Sequence, residues 1–236
     1  MTVLKRSRTL FNIRSDMRHE IKHRISRMDM LCIRQRLMAV AESDSHAKDG
    51  RYLIRSLYFD TPDDRALKEK IDGVDKREKF RIRYYDDDLS FIRLEKKSKQ
   101  KGLGSKDNAR LTAEEAQKIV DGDLAWMRES EQPLIRELHY KMLNQLLKPR
   151  TIVDYEREPF TYAPGNVRVT LDFNIRTGLM CTDFLKRDVP TIPVNEDPII
   201  LEVKWDEYLP DIIRAAVQTN VRECAYSKYA ECRMFD

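Results

Sequence analysis

Arginine and lysine recur at alternate positions in several short segments of this chain. From Lys79 to Tyr85, alternation puts Arg81 and Arg83 on one side and Phe80, Ile82 and Tyr84 on the other. From Ser90 to Lys99 it sets Arg93, Glu95, Lys97 and Lys99 against Ile92 and Leu94. Two guanidiniums on neighbouring positions repel each other in isolation, and a polyanion lying between them reverses that. A second pattern is Glu-x-Lys, at Glu20/Lys22, Glu95/Lys97 and Glu202/Lys204. In an extended chain both members share a face. The carboxylate can then hold a divalent cation while its neighbour holds a phosphate oxygen. These are the parts that phosphate-chain chemistry needs.

The elements that carry these residues read mostly as strands. Arg18, Glu20, Lys22 and Arg24 alternate with His19, Ile21, His23 and Ile25. Arg51 to Phe59 and Thr151 to Arg157 are rich in β-formers. From Val167 to Arg176, the residues Val167, Val169, Leu171, Phe173 and Ile175 oppose Arg168, Thr170, Asp172, Asn174 and Arg176. From Ile199 to Trp205, Leu201 and Val203 oppose Glu202 and Lys204. Helices fall between them. Ser26 with Asp29 and Thr112 with Glu115 read as capping boxes, opening helices to about Val40 and Val120. Pro62 is expected at the first position of a short helix ending at Asp72-Gly73. Apolar residues at Leu134, Leu138, Met142, Leu143, Leu146 and Leu147 predict a helix from Pro133 to Leu147, and another follows from Pro210 to about Asn220. Gly102 to Asn108 reads as a loop.

The polar strand faces together hold Arg18, Lys22, Arg24, Arg81, Arg83, Arg93, Lys97, Lys99, Arg157, Arg168, Arg176 and Lys204 against Glu20, Glu95, Asp172 and Glu202. For any one strand, such a face is most simply solvated. The chain as a whole is nearly balanced, with 44 Lys+Arg against 40 Asp+Glu, so the strands concentrate positive charge. An α+β fold follows, in which an antiparallel sheet curls into a barrel. Its charged face lines a water-filled tunnel, its apolar face carries the helices, and closure removes the sheet edges.

Composition narrows the alternatives. The chain has 236 residues, enough for a sizeable core. Only 7 are glycine, and no GxGxxG or GxxxxGK[ST] phosphate loop is present. No apolar run reaches membrane-spanning length, and the basic start from Met1 to Arg8 lacks the apolar core of a secretion signal. Cys32, Cys181, Cys224 and Cys232 form no CxxC pair and read as small apolar residues in a reducing cytoplasm. The four histidines fit no catalytic triad, and His19 and His23 fall on the apolar side.

The chain resembles the polyphosphate polymerase domain of the vacuolar transporter chaperone family, in its stand-alone bacterial form, within the triphosphate tunnel superfamily. The resemblance rests on eight segments in order: Arg18-His-Glu-Ile-Lys22, Ser56-Leu-Tyr-Phe-Asp-Thr-Pro62, Lys79-Phe-Arg-Ile-Arg83, Leu94-Glu-Lys-Lys97, Tyr155-Glu-Arg157, Arg168-Val-Thr-Leu-Asp172, Leu201-Glu-Val-Lys204 and Ser227-Lys-Tyr229. It covers Arg18 to Arg233. It implies one tunnel domain over residues 1–236, with 1–14 as a peripheral extension. The implied activity is metal-dependent transfer of the ATP γ-phosphate onto a growing inorganic polyphosphate chain. Arg81, Arg83, Lys97, Arg157 and Lys228 are then the catalytic cations. Lys22, Lys99, Lys106, Tyr155, Arg168, Lys204 and Ser227 bind substrate and product, and Glu202 holds Mn²⁺ or Mg²⁺. ATP and polyphosphate are the expected partners, with no nucleic acid, and the expected location is cytoplasmic.

Three other readings compete. A triphosphate or polyphosphate hydrolase would use the same cations. Many tunnel triphosphatases open with Glu-x-Glu-x-Lys, however, and Arg18 stands at the first of those glutamates here. A non-catalytic polyphosphate-binding module would have no need of Glu202. A nucleic-acid binder would need an aromatic stacking platform that the strand pattern does not present.

Overall fold

A computed structural model of the chain describes residues 18–44, 47, 49–100 and 103–235. The strands are β1 (His19–Ile25), β2 (Glu42–Ser43), β3 (Tyr52–Asp60), β4 (Arg77–Tyr85), β5 (Asp88–Gln100), β6 (Leu103–Leu111), β7 (Lys148–Tyr162), β8 (Val167–Thr177), β9 (Ile192–Pro193) and β10 (Ile199–Trp205). The helices are α1 (Arg27–Val40), α2 (Arg65–Ile71), α3 (Ala113–Asp121), α4 (Pro133–Asn144), α5 (Asp211–Ala216) and α6 (Lys228–Cys232). Residues 1–14, expected as an extension, lie outside the described residues. Among the described residues no helix is long and apolar enough to cross a membrane.

Eight strands pair in the order β1-β10-β8-β7-β3-β4-β5-β6, every neighbour antiparallel. The sheet curls until β1, at one edge, faces β5 beside the other, with Lys97 Nζ 3.9 Å from Glu20 Oε2. The expected closure is therefore incomplete: among the described residues no backbone ladder joins β1 to β6, and the Lys97–Glu20 contact spans that seam instead.

The two faces of the curl follow the alternation. On the outer face, Leu57, Phe59, Phe80, Ile82, Ile92 and Leu94 pack against Ile119 of α3 and Ile135 and Leu138 of α4. Farther round, Ile25, Val169, Leu171, Leu201 and Val203 pack against Met30, Ile33 and Leu37 of α1 and Ile213 of α5. Burying each such side chain stabilises the fold by roughly 1.5–3 kcal/mol. Both predicted capping boxes form, with Ser26 Oγ accepting from Asp29 N and Thr112 Oγ1 from Glu115 N. On the inner face, Ile54, Val153, Ile175 and Ile200 pack against Tyr229 and Cys232 of α6. This short helix therefore fills part of the bore and leaves the charged residues to line the rest.

Four further expectations need correction. The segment read as a loop is strand β6, with Lys106 opposite Lys97. Ser105 to Asn108 is polar at every position, so no apolar period marks the strand before Ala109 and Leu111. Pro62 does not open a helix; α2 starts at Arg65, behind Asp64 at φ 57°. Leu143 lies on the exposed side of α4, and Leu146 is exposed beyond it, because the helix ends at Asn144 and the chain turns away through Leu146 at φ 55°. In β8, Asn174 at φ 50° accompanies a register shift against β7. Ile175 then reaches the cluster around α6, and Arg176 bonds Thr191 instead of facing the tunnel. The cysteines also differ from one another: Cys232 is buried, whereas Cys32 is exposed.

Asp60 ties α2, α6 and β3 together. Its carboxylate accepts N–H bonds from Thr61, Ala66 and Leu67 and the Tyr229 hydroxyl. Asp60→Ala leaves these buried donors unpaired and is expected to cost about 3 kcal/mol. For a chain of this size that lowers the thermal midpoint by roughly 6–12 °C. A scan showing less than about 2 °C of change would mean that water replaces the carboxylate.

Candidate functional site

The inner face of the curl carries three clusters of cations, each built round buried carboxylates. The first is on β4, β5 and β6. Glu95, 1% exposed, lies 2.6 Å from Arg81, 3.9 Å from Arg83 and 2.5 Å from Lys106. Arg81 also donates to the Tyr58 hydroxyl at 2.8 Å, and Arg83 to the Tyr155 hydroxyl at 2.9 Å. Burial opposes ionisation of Glu95, yet Arg81, Arg83 and Lys106 outweigh it and hold the carboxyl far below its usual range.

The second cluster is on β7 and β8. Asp172 is fully buried and takes two bonds from the Arg157 fork, at 2.6 and 2.7 Å. Lys228 adds a third at 2.5 Å and lies 4.5 Å above the Tyr155 ring. Burial raises the Asp172 carboxyl, but Arg157 and Lys228 bring it down to about 2. Ser227, one residue earlier, caps α6, and its hydroxyl receives the Lys79 ammonium at 3.4 Å.

The third cluster is on β1 and β10, where Lys22 stands opposite Glu202 and Glu20 opposite Lys204. Glu202 lies 2.6 Å from Lys204 and 3.3 Å from Lys22. Glu20 lies 2.6 Å from Lys22, 3.2 Å from Lys204 and 3.9 Å from Lys97. Burial and Glu202 push the Glu20 carboxyl up, but Lys97, Lys22 and Lys204 bring it down to about 2. Burial likewise opposes ionisation of Glu202, which Lys204, Lys22, Arg157 and Lys97 hold well below the usual range. Each acid thus stays ionised while serving two or three cations, and positive charge remains in excess along the bore.

The expected residues do not all meet. Lys22, Arg81, Arg83, Lys97, Lys106, Tyr155, Arg157, Glu202, Lys204, Ser227 and Lys228 belong to these linked clusters. Arg168 stands apart, bonded to the Tyr52 hydroxyl at 2.8 Å and facing Asp44 at 3.4 Å. Lys99 is exposed near the tip of the β5–β6 hairpin. Arg18 and Arg24 pair with Asp206 and Glu196. His19 stacks on Trp205, and His23 bonds the Val221 carbonyl.

Two site residues escaped the sequence reading. Tyr58 and Lys79 fall in the segments Ser56 to Pro62 and Lys79 to Arg83, where a strand tyrosine and a flanking lysine resemble ordinary packing and surface residues. Lys79 lies in the bore with Tyr58, Lys22 and Arg81 near it. Burial, with help from the two cations and Lys70, lowers its ammonium to about 8 against the opposing pull of Tyr58.

A curled antiparallel sheet with an ionic inner face and outer helices is the triphosphate tunnel fold. The sequence model of the VTC domain matches residues 17–235, and the chain belongs to that family. Among solved structures it is similar to a protein of Bacillus halodurans described as a candidate adenylate cyclase, with 16% identity, 80% of each chain covered and a TM-score of 0.50. A protein of Pyrococcus horikoshii aligns over 92% of this chain and 96% of its own, at 12% identity and a TM-score of 0.45. No curated protein sequence matches the chain.

Proposed function

We propose that this protein is a metal-dependent polyphosphate polymerase, transferring the γ-phosphate of ATP to the end of an inorganic polyphosphate chain held in the tunnel. The observation that carries the reading is the arrangement of charge. Lys22, Arg81, Arg83, Lys97, Lys106, Arg157, Lys204 and Lys228 face one bore, against four buried or half-buried carboxylates.

Transfer between phosphates asks the protein for alignment and charge neutralisation, not for covalent chemistry. The acceptor is already an anionic oxygen, so it needs no strong base. Arg81 and Arg83, fixed by Glu95, Tyr58 and Tyr155, present rigid forks to the transferring group. Lys97 and Lys106 approach from the neighbouring strands. Arg157 and Lys228, fixed by Asp172, hold the chain from the opposite wall. Arg168 and Lys99 serve as outlying contacts for its ends.

The donor set suits a divalent cation. Glu202 and Glu20 project from paired strands, and Mg²⁺ is commonly held by one or two carboxylates, with phosphate and water completing the shell. Among the described residues no group of three His, Cys, Asp or Glu converges. Bound there, Mn²⁺ or Mg²⁺ would neutralise charge on the phosphates. Lys22 and Lys204, displaced from the two glutamates, would turn to phosphate oxygens.

Two measurements test the reading. With ATP, Mn²⁺ and a polyphosphate primer, ADP is expected in large excess over free phosphate; equal release would identify a hydrolase. The second uses pH. The depressed Lys79 ammonium costs stability while it is charged, below about 8, and that cost disappears as pH rises from there toward its unfolded value. Anion binding runs the other way, because the charge is lost above about 8. Affinity for polyphosphate should fall as pH rises through that point, and Lys79→Arg should remove the step. An identical pH profile in that variant would exclude Lys79 from chain binding.

A further inference from the structure

Beyond Arg83, the inner face of β4, β5 and β6 ends in a group of aromatic and arginine side chains that the phosphate chemistry leaves unused. Arg93 stands opposite Arg83 on one side and Arg110 on the other, so three guanidiniums cross three strands in a row. The Arg93 guanidinium lies 4.4 Å from the centre of the Phe91 ring, and that of Arg110 lies 5.9 Å from it. Arg83 lies 5.8 Å from the Tyr85 ring, which meets Tyr52 edge-on at 5.4 Å. Phe91, Arg93 and Tyr85 are half-buried.

This group differs chemically from the clusters deeper in the bore. There, every arginine is neutralised by a carboxylate. Among the described residues neither Arg93 nor Arg110 has a carboxylate within 4 Å; their neighbours are a ring and, for Arg110, the Ser90 carbonyl. A guanidinium within cation–π range of a ring, as Arg93 is at 4.4 Å from the centre of Phe91, is restrained there. Such a plane stacks well on another planar, electron-rich heterocycle and contributes positive charge to a neighbouring phosphate. The row also has a direction, from the Phe91–Arg93 pair past Arg83 to Arg81, Glu95 and Lys97. A ligand with a ring at one end and a phosphate chain at the other matches that sequence of surfaces.

We infer that Phe91, Arg93 and Tyr85 form a nucleobase platform at this mouth of the tunnel. The base of the ATP donor stacks there, and its phosphates run inward past Arg83. The inference rests on the polymerase reading above and deepens it by assigning the nucleoside end of the substrate. Stacking tolerates any base, since every base has a π-face. The platform therefore distinguishes nucleoside triphosphates from inorganic triphosphate, and distinguishes poorly between adenine and guanine.

The test is calorimetric titration of the whole protein with ATP and with inorganic triphosphate, each with Mn²⁺. Phe91→Ala changes no charge. It should weaken ATP binding by about tenfold, as expected when the ring that holds the Arg93 plane under the base is lost, and inorganic triphosphate by less than about twofold. Phe91→Tyr should restore ATP binding. If the alanine variant does not fold, Phe91→Leu keeps apolar volume without the π-face and should give the same contrast. Equal weakening of both ligands, or of neither, would overturn the platform. ATP consumption and polyphosphate synthesis are assayed in parallel on the wild type. Failure to synthesise polymer contradicts the polymerase reading, whereas normal synthesis with an unaffected Phe91→Ala variant contradicts only the platform.

Discussion

Lys97→Ala is expected to slow phosphate transfer by about 10²–10³-fold, the range seen when one preorganised group facing developing charge is removed. Its thermal midpoint should stay within about 2 °C of the wild type. The second half of this expectation separates the site from the scaffold. Lys97 projects from β5 into the bore with 40% of its side chain accessible, and its nearest carboxylate is Glu20 at 3.9 Å. Removing it therefore opens no apolar cavity and strands no buried acid. Burial within the tunnel walls, together with Lys204, already pushes its ammonium below the ordinary value. Its charge is thus costly where it stands, and a polyanion beside it would offset that cost. Arg83 makes a useful contrast. It is 3% exposed and bonds Ser56 and Tyr155, so Arg83→Ala should lose both transfer and stability. Kinetics within twofold of wild type for Lys97→Ala, an order-of-magnitude bound set against that range, would remove the residue from the reaction.

The second large effect is expected at Glu202. Glu202→Gln keeps the shape and removes the charge between Lys22 and Lys204. Breaking a buried ion pair costs about 3–5 kcal/mol, and the lower figure applies because Glu20 still faces both lysines. Transfer should fall by at least about 10²-fold, with the Mn²⁺ dependence moved to higher concentration. Polyphosphate binding without metal should persist or tighten, since the bore has gained net positive charge, and should weaken steeply with salt. This combination distinguishes loss of the metal position from general collapse of the tunnel. An unchanged Mn²⁺ titration would exclude Glu202 as a ligand.

Much of this site was legible in the sequence because strands report their faces directly. Alternation around Arg81, Arg83, Glu95, Lys97, Glu202 and Lys204 separated the charged side from the apolar one, and the curl brought those charged sides together. The parts that were not legible have physical causes. β6 is polar on both faces over most of its length, so nothing in its composition distinguishes it from a loop. The break at Asn174 reverses the sides of β8 for the three residues that follow, which no periodicity can anticipate. Arg168 shares a face with Asp172 but lies four residues along the strand, far enough to pair with Tyr52 instead. The stack of Arg93 on Phe91 was hidden for a related reason: two members of one strand face read as a charge and a bulky residue, and only packing shows one supporting the other. Asp60 lies just past the expected strand Arg51 to Phe59 with nothing in its type to mark a role, and its carboxylate organises two helices.

The most direct test of the account is the product of the reaction itself. Purified protein is incubated with ATP, Mn²⁺ and a trace of pyrophosphate, and the products are resolved on a polyphosphate gel. The account predicts a ladder of lengthening chains that requires Mn²⁺ or Mg²⁺ and disappears in Lys97→Ala. Consumption of ATP with free phosphate and no ladder, or chain binding without turnover, would contradict it.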